Sequence, residues 1–243
     1  MNRTASCVLS VQPGLPFGQV ELSARHALAH VWYCRFDNAF YHDEDYGRQG
    51  IALPSIIAGS AIKRRAEYLA GRIAADRVLT VLGYPRFDVQ IGKDRTPCWP
   101  NGIQGALTHH ANLALCIGWH RPPREISGLG IDIETVIDAP RTRDLWPGII
   151  SAGERAFFST LPCSFATCLT LAFSAKESLF KALYPLVLRY FDFLDVQVVQ
   201  LGDNHITLAL LVTLTPALPA GTRFDCGYAV DENNVLTVLT LDA

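Results

Sequence analysis

The chain has 243 residues, 49% apolar and 18% charged, with 18 glycines and 14 prolines. This describes a globular protein long enough to bury a sizeable core and excludes a disordered chain, a collagen-like repeat or a disulfide-stapled miniature. The net charge of −2 gives no electrostatic case for nucleic acid. Charge is unevenly placed: residues 1–127 carry 14 basic against 10 acidic side chains, +4, and residues 128–243 carry 7 against 13, −6. Such a division suits an anionic ligand held between a basic half and a metal-binding acidic half. The seven cysteines include no Cys-x-x-Cys pair and mostly sit in apolar stretches, so they read as buried free thiols of a reducing compartment. Met1 to Ser10 lacks the layout of a signal peptide. The apolar run from Ile206 to Ala220 is broken by prolines and is shorter than the roughly 20 residues that span a bilayer. A soluble, cytoplasmic protein is expected.

In chain order, Val31, Trp32, Tyr33 and Phe36 mark a strand over residues 28–36. Ser60 caps a long helix through about Leu82, with Ile62, Leu69, Ile73, Val78, Leu79 and Leu82 as its buried stripe. Lys63, Arg64, Arg65, Arg72 and Arg77 fall on or beside its polar side. Pro97, Pro100 and Asn101-Gly102 make Val89 to Gly105 a structured loop. Strands are expected at Leu113 to Trp119 and Gly128 to Glu134. Ser151-x-x-Glu154 is a capping-box signature for a helix through about Ser159. A stronger helix runs from Leu169 to Leu183 and stops before Pro185. Four strands close the chain: Val196 to Val198, Ile206 to Val212, Phe224 to Val230 and Val235 to Leu241, the last two joined by a turn over residues 231–234.

Chemistry concentrates in three places. In a strand over Gly128 to Glu134, alternation projects Asp132 and Glu134 to one side, about 6.5–7 Å apart. Two such carboxylates repel unless a cation lies between them, and an oxygen-only pair suits Mg²⁺. Gly128 and Gly130 leave room for a ligand to approach the backbone. The alternative is a solvent-facing strand with two acidic residues. Farther on, the apolar stripe of the 169–183 helix is interrupted by Lys176, followed by Glu177 and Lys181. Two of the four lysines in the chain, against 17 arginines, lie here. Read alone, this is a surface Glu–Lys pair worth about 0.2–0.5 kcal/mol, with Lys176 snorkelling. Thr108 and His109, expected just before a strand, are candidate phosphate donors. Arg64, Arg72 and Arg95 are candidate bidentate phosphate ligands. His26-x-x-x-His30 has helical metal spacing but no third ligand, and is read as structural. No Gly-x-Gly-x-x-Gly or P-loop run is present.

Gly130-Ile131-Asp132-Ile133-Glu134, followed about 40 residues later by Phe173-Ser174-Ala175-Lys176-Glu177-Ser178-Leu179-Phe180-Lys181, resembles the paired signature of 4′-phosphopantetheinyl transferases. Arg64-Arg65-Ala66-Glu67-Tyr68-Leu69-Ala70-Gly71-Arg72, the run Gly92 to Pro100 and Thr108-His109 point to the subgroup of the enterobactin-synthase component D type. The resemblance covers roughly residues 60–185. Two departures stand out: Ala106-Leu107-Thr108-His109 replaces the family's usual Ser-Ile-Ser-His, and Phe173 stands where many members have Trp.

The resemblance implies an α+β fold, a pseudo-dimer of two similar halves with the active site in the cleft between them. Residues 1–123 form the basic half and residues 124–243 the acidic one. It implies Asp132, Glu134 and Glu177 as ligands of Mg²⁺, with Mn²⁺ as an alternative ion. Arg64, Arg72, Arg95, Thr108, His109, Lys176 and Lys181 match positions that hold coenzyme A. The reaction implied is transfer of phosphopantetheine from coenzyme A to a serine of an apo acyl, peptidyl or aryl carrier protein, with release of adenosine 3′,5′-bisphosphate. Such carriers serve fatty-acid, polyketide and nonribosomal-peptide synthesis, siderophores included. Catalytic roles fall to Asp132, to Glu177 as general base, directly or through a water, and to Lys181 at the leaving phosphate. A monomer is implied, because the two halves already supply the interface. The rival readings are a non-catalytic module that binds coenzyme A or carrier protein, and a Mg²⁺-dependent phosphohydrolase using water.

Overall fold

Small residues on one strand let a long helix lie close against the first sheet. In the computed structural model, which describes residues 17–20, 22, 26, 28–124, 126–231 and 233–241, the first sheet is antiparallel with order β1-β2-β4-β3. Its strands are β1 (Phe17–Val20), β2 (His30–Arg35), β3 (Ile103–His110) and β4 (Leu113–His120). Ala114 and Cys116 of β4 pack with Ala74, Ala75, Val78 and Leu79 of α3 (Ile62–Val81). At Gly118 on the same face, a Cβ would come within 2.7 Å of Val78 Cγ1, so glycine there sets the helix-to-sheet distance.

The sequence reading of α3 needs correction at its N-terminus and along its buried face. Its N-cap is Ala61, with no side-chain cap, and not Ser60. Ile62, expected on the buried stripe, is half exposed, whereas Arg72 is buried. Alanines at 66, 70, 74 and 75 supply the packed face, and a search for large apolar residues passes over them. The helices α1 (Glu44–Gln49) and α2 (Ser55–Ala58) precede α3, with Tyr46 stacked on Tyr68 of α3 at 6.4 Å. The predicted loop after α3 does contain the turns its prolines imply, including an isolated bridge between Ile91 and Pro97. At its tip Asp94 and Arg95 both occupy the left-handed region, φ 56° and 62°.

The described chain divides at Pro123/Arg124 into two compact units. The second contains an antiparallel sheet of order β5-β9-β8-β7-β6. Its strands are β5 (Gly128–Thr135), β6 (Val196–Leu201), β7 (His205–Leu210), β8 (Arg223–Val230) and β9 (Asn234–Leu241). Helices α4 (Ala139–Leu145), α5 (Ala152–Phe158) and α6 (Phe165–Val187) complete it. Leu169, Ala172, Leu179 and Leu183 of α6 pack into a core with Ile206, Leu208, Val235 and Leu239. Each unit thus sets one long helix on one antiparallel sheet. This is the α+β, two-similar-halves fold class expected from the sequence.

The capping box at Ser151 and Glu154 is present in full. Pro185 does not stop α6, which continues to Val187: a proline in the last turn removes a single intrahelical bond. Strand β7 ends at Leu210, short of Val212, where the chain turns back and Leu210 N–H donates to Thr222 O.

The expectation that all cysteines are free and mostly buried is overturned in part. Cys163 and Cys168 form a disulfide, while Cys34, Cys116 and Cys226 are buried thiols and Cys98 is an exposed one. Cys7 and the rest of the first ten residues lie outside the described residues. Burial pushes Cys34 up to about 11, and it raises the thiols of Cys116 and Cys226 as well. Since the thiolate is the reactive form, a short pulse of a thiol reagent on the native chain should label Cys98 and leave these three unmodified. Peptide mapping of the labelled protein checks this. Among the described residues, no helix is long and apolar enough to cross a membrane.

Candidate active site

Asp132 and Glu134 come from β5, and the face they share is the one that lies on α6. At Gly128 a Cβ would collide with the Ala182 carbonyl of α6, and at Gly130 with the Ser178 carbonyl. The room these glycines leave is therefore taken by helix backbone and not by a ligand. One step along the strand, Asp132 Oδ1 accepts a hydrogen bond from Lys181 Nζ at 2.7 Å. The same ammonium donates to the Ile131 carbonyl at 3.0 Å. Asp132 is 3% exposed, which rules out the solvent-facing strand. Opposite it in the sheet, Thr237 of β9 shares hydroxyl contacts with Ser174 and Ser178 of α6, at 2.9 and 2.7 Å. Buried hydroxyls satisfied in this way pin helix to strand in one register.

The carboxylates feel one another. Burial raises Glu134, and Asp132 and Glu177 raise it further against the lowering effect of Lys181, bringing it up to about 7. Burial also raises Glu177, with Lys181 opposing and Asp132 reinforcing. Three electrostatically coupled carboxyl groups, all oxygen donors, have the chemistry of a hard-cation site, and the Lys181 ammonium already lies on one of them. Among the described residues no three His, Cys, Asp or Glu side chains converge closely enough to enclose a metal. The set fits Mg²⁺ in its donor chemistry, with Asp132, Glu134 and Glu177 the groups that would hold it.

A pH signature follows for the metal-free chain. An acid raised on folding binds a proton in the native state that the unfolded chain has already lost. Stability therefore falls as pH rises from the ordinary glutamate range, near 4.5, to about 7. Thermal melts in EDTA should show this decline, and Glu134→Gln should flatten it.

Lys176 is not where the sequence puts it. It neither snorkels at the surface nor holds out its ammonium to a phosphate. At 1% exposure, Nζ lies 2.9 Å from Glu154 Oε1 and donates to the carbonyls of Ile149 and Phe193, at 2.8 and 3.1 Å. Glu154 accepts in addition from Ser151 N–H at 2.7 Å and Val198 N–H at 2.9 Å. One buried ion pair thus ties α5, α6 and β6 together. Burial lowers Lys176 while Glu154 holds it up.

The basic candidates lie in the other unit. Arg64 NH1 is 3.2 Å from His109 Nε2, joining α3 to β3. His109 belongs to strand β3, not to a loop before it. In a strand, neighbouring side chains point to opposite faces, so Thr108, which is buried, faces away from His109. Arg72 is 9% exposed, its guanidinium lies 4.2 Å above the Tyr68 ring, and its Nε has no hydrogen-bond partner among the described residues. A permanently charged group in such a setting suits an arriving anion. Arg95 is exposed at the strained loop tip.

Sequence reasoning missed Glu67. It is 8% exposed and carries Lys63, Arg64 and His109 around it at 3.9, 3.8 and 3.7 Å. A signal was present, since Glu67 is the lone acid in the basic run from Lys63 to Arg72.

Residues 54–117 match the 4′-phosphopantetheinyl transferase N-terminal domain, and residues 128–236 match the 4′-phosphopantetheinyl transferase superfamily. Among curated relatives, enterobactin synthase component D of Salmonella typhi is 36% identical over 208 residues, 84% of this chain and 83% of that protein. The chain belongs to the 4′-phosphopantetheinyl transferase superfamily. Within it, the match to the component D type places the transferase in that subgroup. The Escherichia coli (strain K12) enterobactin synthase component D is 36% identical over 146 residues, 60% of this chain and 66% of that protein. The 4′-phosphopantetheinyl transferase PptT of Mycobacterium tuberculosis is 30% identical over 198 residues, 76% of this chain and 83% of that protein. Both matched domains contain candidate residues: Arg64, Arg72, Arg95, Thr108 and His109 in the first, and Asp132, Glu134, Lys176, Glu177 and Lys181 in the second.

Proposed function

We propose that this transferase moves the phosphopantetheine group of coenzyme A onto a serine hydroxyl of an apo carrier protein in a Mg²⁺-dependent displacement on Asp132, Glu134 and Glu177. The observation that carries the reading is the Lys181–Asp132 ion pair at 2.7 Å, with Glu134 and Glu177 electrostatically coupled to both, within a chain of this family. When bound, the metal neutralises the diphosphate of coenzyme A and polarises it for attack. Asp132 orients Lys181 through the 2.7 Å bond, and the ammonium is then placed to stabilise charge gathering on the leaving phosphate. Glu177 accepts the serine proton, directly or through a water. Arg64, Arg72 and Arg95 hold coenzyme A by its phosphates, and His109 belongs to the same binding site through its contact with Arg64. Thr108 does so from the opposite face of β3 or through its backbone. Lys176 contributes from the core, through its ion pair with Glu154. The protein works as a monomer in the cytoplasm.

The test is the intact mass of an apo carrier protein incubated with the transferase, coenzyme A and Mg²⁺, beside an EDTA control. A gain of one phosphopantetheine group that EDTA abolishes is the expected result. A gain that persists in EDTA overturns the metal assignment. No gain on several unrelated carriers, with coenzyme A bound, points to a binding module. Cleavage of coenzyme A in the absence of carrier points to a phosphohydrolase.

A further inference from the structure

Glu67 sits at the join between α3 and β3, beneath two groups that the proposed function gives to coenzyme A. Its carboxylate is enclosed, while the side chains of Lys63, Arg64 and His109 that surround it are 68%, 47% and 41% exposed. A buried carboxylate with two exposed cations, Lys63 and Arg64, arranged over it is the reverse of a solvated surface pair, in which both partners are free to wander. The contact between the two upper groups fixes the chemistry of the ring. Arg64 has only donors, so a hydrogen bond across the 3.2 Å between its NH1 and His109 Nε2 requires Nε2 as the acceptor, without a proton. The ring is then neutral with its proton on Nδ1, and Nδ1 is the nitrogen that faces Glu67 Oε1, at 3.7 Å. Glu67 Oε2 lies 3.8 Å from the same Arg64 NH1. Carboxylate, imidazole and guanidinium form a series in which each member orients the next, the logic by which a buried acid fixes a histidine tautomer elsewhere.

We propose that Glu67 is a positioning residue for coenzyme A binding: it fixes His109 as the Nδ1-protonated tautomer and, directly and through that ring, sets the Arg64 guanidinium in place for a phosphate. This rests on the transferase reading for the identity of the ligand. Preassembly lowers the ordering cost at the moment of binding, so its loss appears in affinity and not in the chemical step. The charge that Glu67 places near an anion is the cost of this order. The alternative is that the carboxylate merely balances local charge, in which case removing it would tighten anion binding.

The experiment measures coenzyme A binding by calorimetry, transfer kinetics, and the His109 tautomer by ¹⁵N NMR at mildly alkaline pH. It compares the full chain with Glu67→Ala, the isosteric Glu67→Gln and the conservative Glu67→Asp. In the wild-type chain, the proton should be on Nδ1. Glu67→Ala and Glu67→Gln should move it toward Nε2 and weaken coenzyme A binding about tenfold, raising KM with kcat altered less than about twofold. Glu67→Asp should recover part of both. An Nε2 proton in the wild-type chain, an unchanged tautomer in the variants, or equal or tighter binding of coenzyme A each overturns the proposal. If Glu67→Ala fails to fold, Glu67→Gln, which keeps the volume, carries the test. Failure of the transferase reading would show separately, as wild-type protein that modifies no carrier, while tautomer and binding remain measurable.

Discussion

Asp132→Ala is expected to lower carrier-protein modification on the order of 10³-fold, the range seen when one preorganised electrostatic group is removed from a reacting centre. The loss has two physical parts. One of three oxygen donors for the cation goes, and Lys181 loses the carboxylate that holds its ammonium at 2.7 Å. The fold should survive, because the Lys181 side chain is 24% exposed and can carry its charge into water. The change in stability should stay near about 1 kcal/mol. Asp132→Asn keeps volume and an acceptor but not the charge, and should be nearly as inactive. Transfer rates and melting curves of both variants check this. Activity within tenfold of wild type would remove Asp132 from the metal site.

Lys176→Met should produce the largest stability loss, about 3–5 kcal/mol, the range for removing one member of a buried ion pair. Methionine fills the volume of the alkyl stem but leaves Glu154, 2% exposed, as a buried charge held, among the described residues, by two backbone N–H groups. It also leaves the Ile149 and Phe193 carbonyls without the ammonium that donates to both. Activity will fall as well, since Glu177 is the next residue, so activity alone does not decide the role. The denaturant midpoint does. A midpoint equal to wild type with a raised KM for coenzyme A would make Lys176 a phosphate ligand after all. Combining Lys176→Met with Glu154→Gln should recover part of the loss, because the stranded charge is gone, and the double-mutant cycle measures that coupling.

Strand and helix were legible wherever periodicity was strong and punctuation plain. The period-two run at β5, the capping box at Ser151 and the apolar stripe of α6 fall close to where the sequence puts them. The parts that were not legible share a cause: the deciding contact is remote in sequence. Lys176 looks like a surface residue until Glu154, 22 positions earlier, is brought beneath it. Gly130 looks like an opening for a ligand until the Ser178 carbonyl occupies it. Cys163 and Cys168 lie five residues apart but follow no familiar spacing. The acidic residues and Lys181 could be named from the chain because their motif is local. Glu67 could not be assigned a role, because what matters is its approach to His109 across 42 positions.

The contact of β5 with α6 through Gly128 and Gly130 has a bearing on how this site can change over evolutionary time. Main chain resting on main chain leaves no side chain whose trimming or enlargement could adjust the gap. Neighbouring positions can drift among apolar residues and leave the spacing as it was. A methyl group at 130 would drive the helix outward and carry Glu177 and Lys181 away from Asp132 together. The distance across the acidic cluster is therefore not something that gradual substitution can tune. Substitution can instead alter the side chains around the junction, where no backbone-to-backbone contact fixes the spacing.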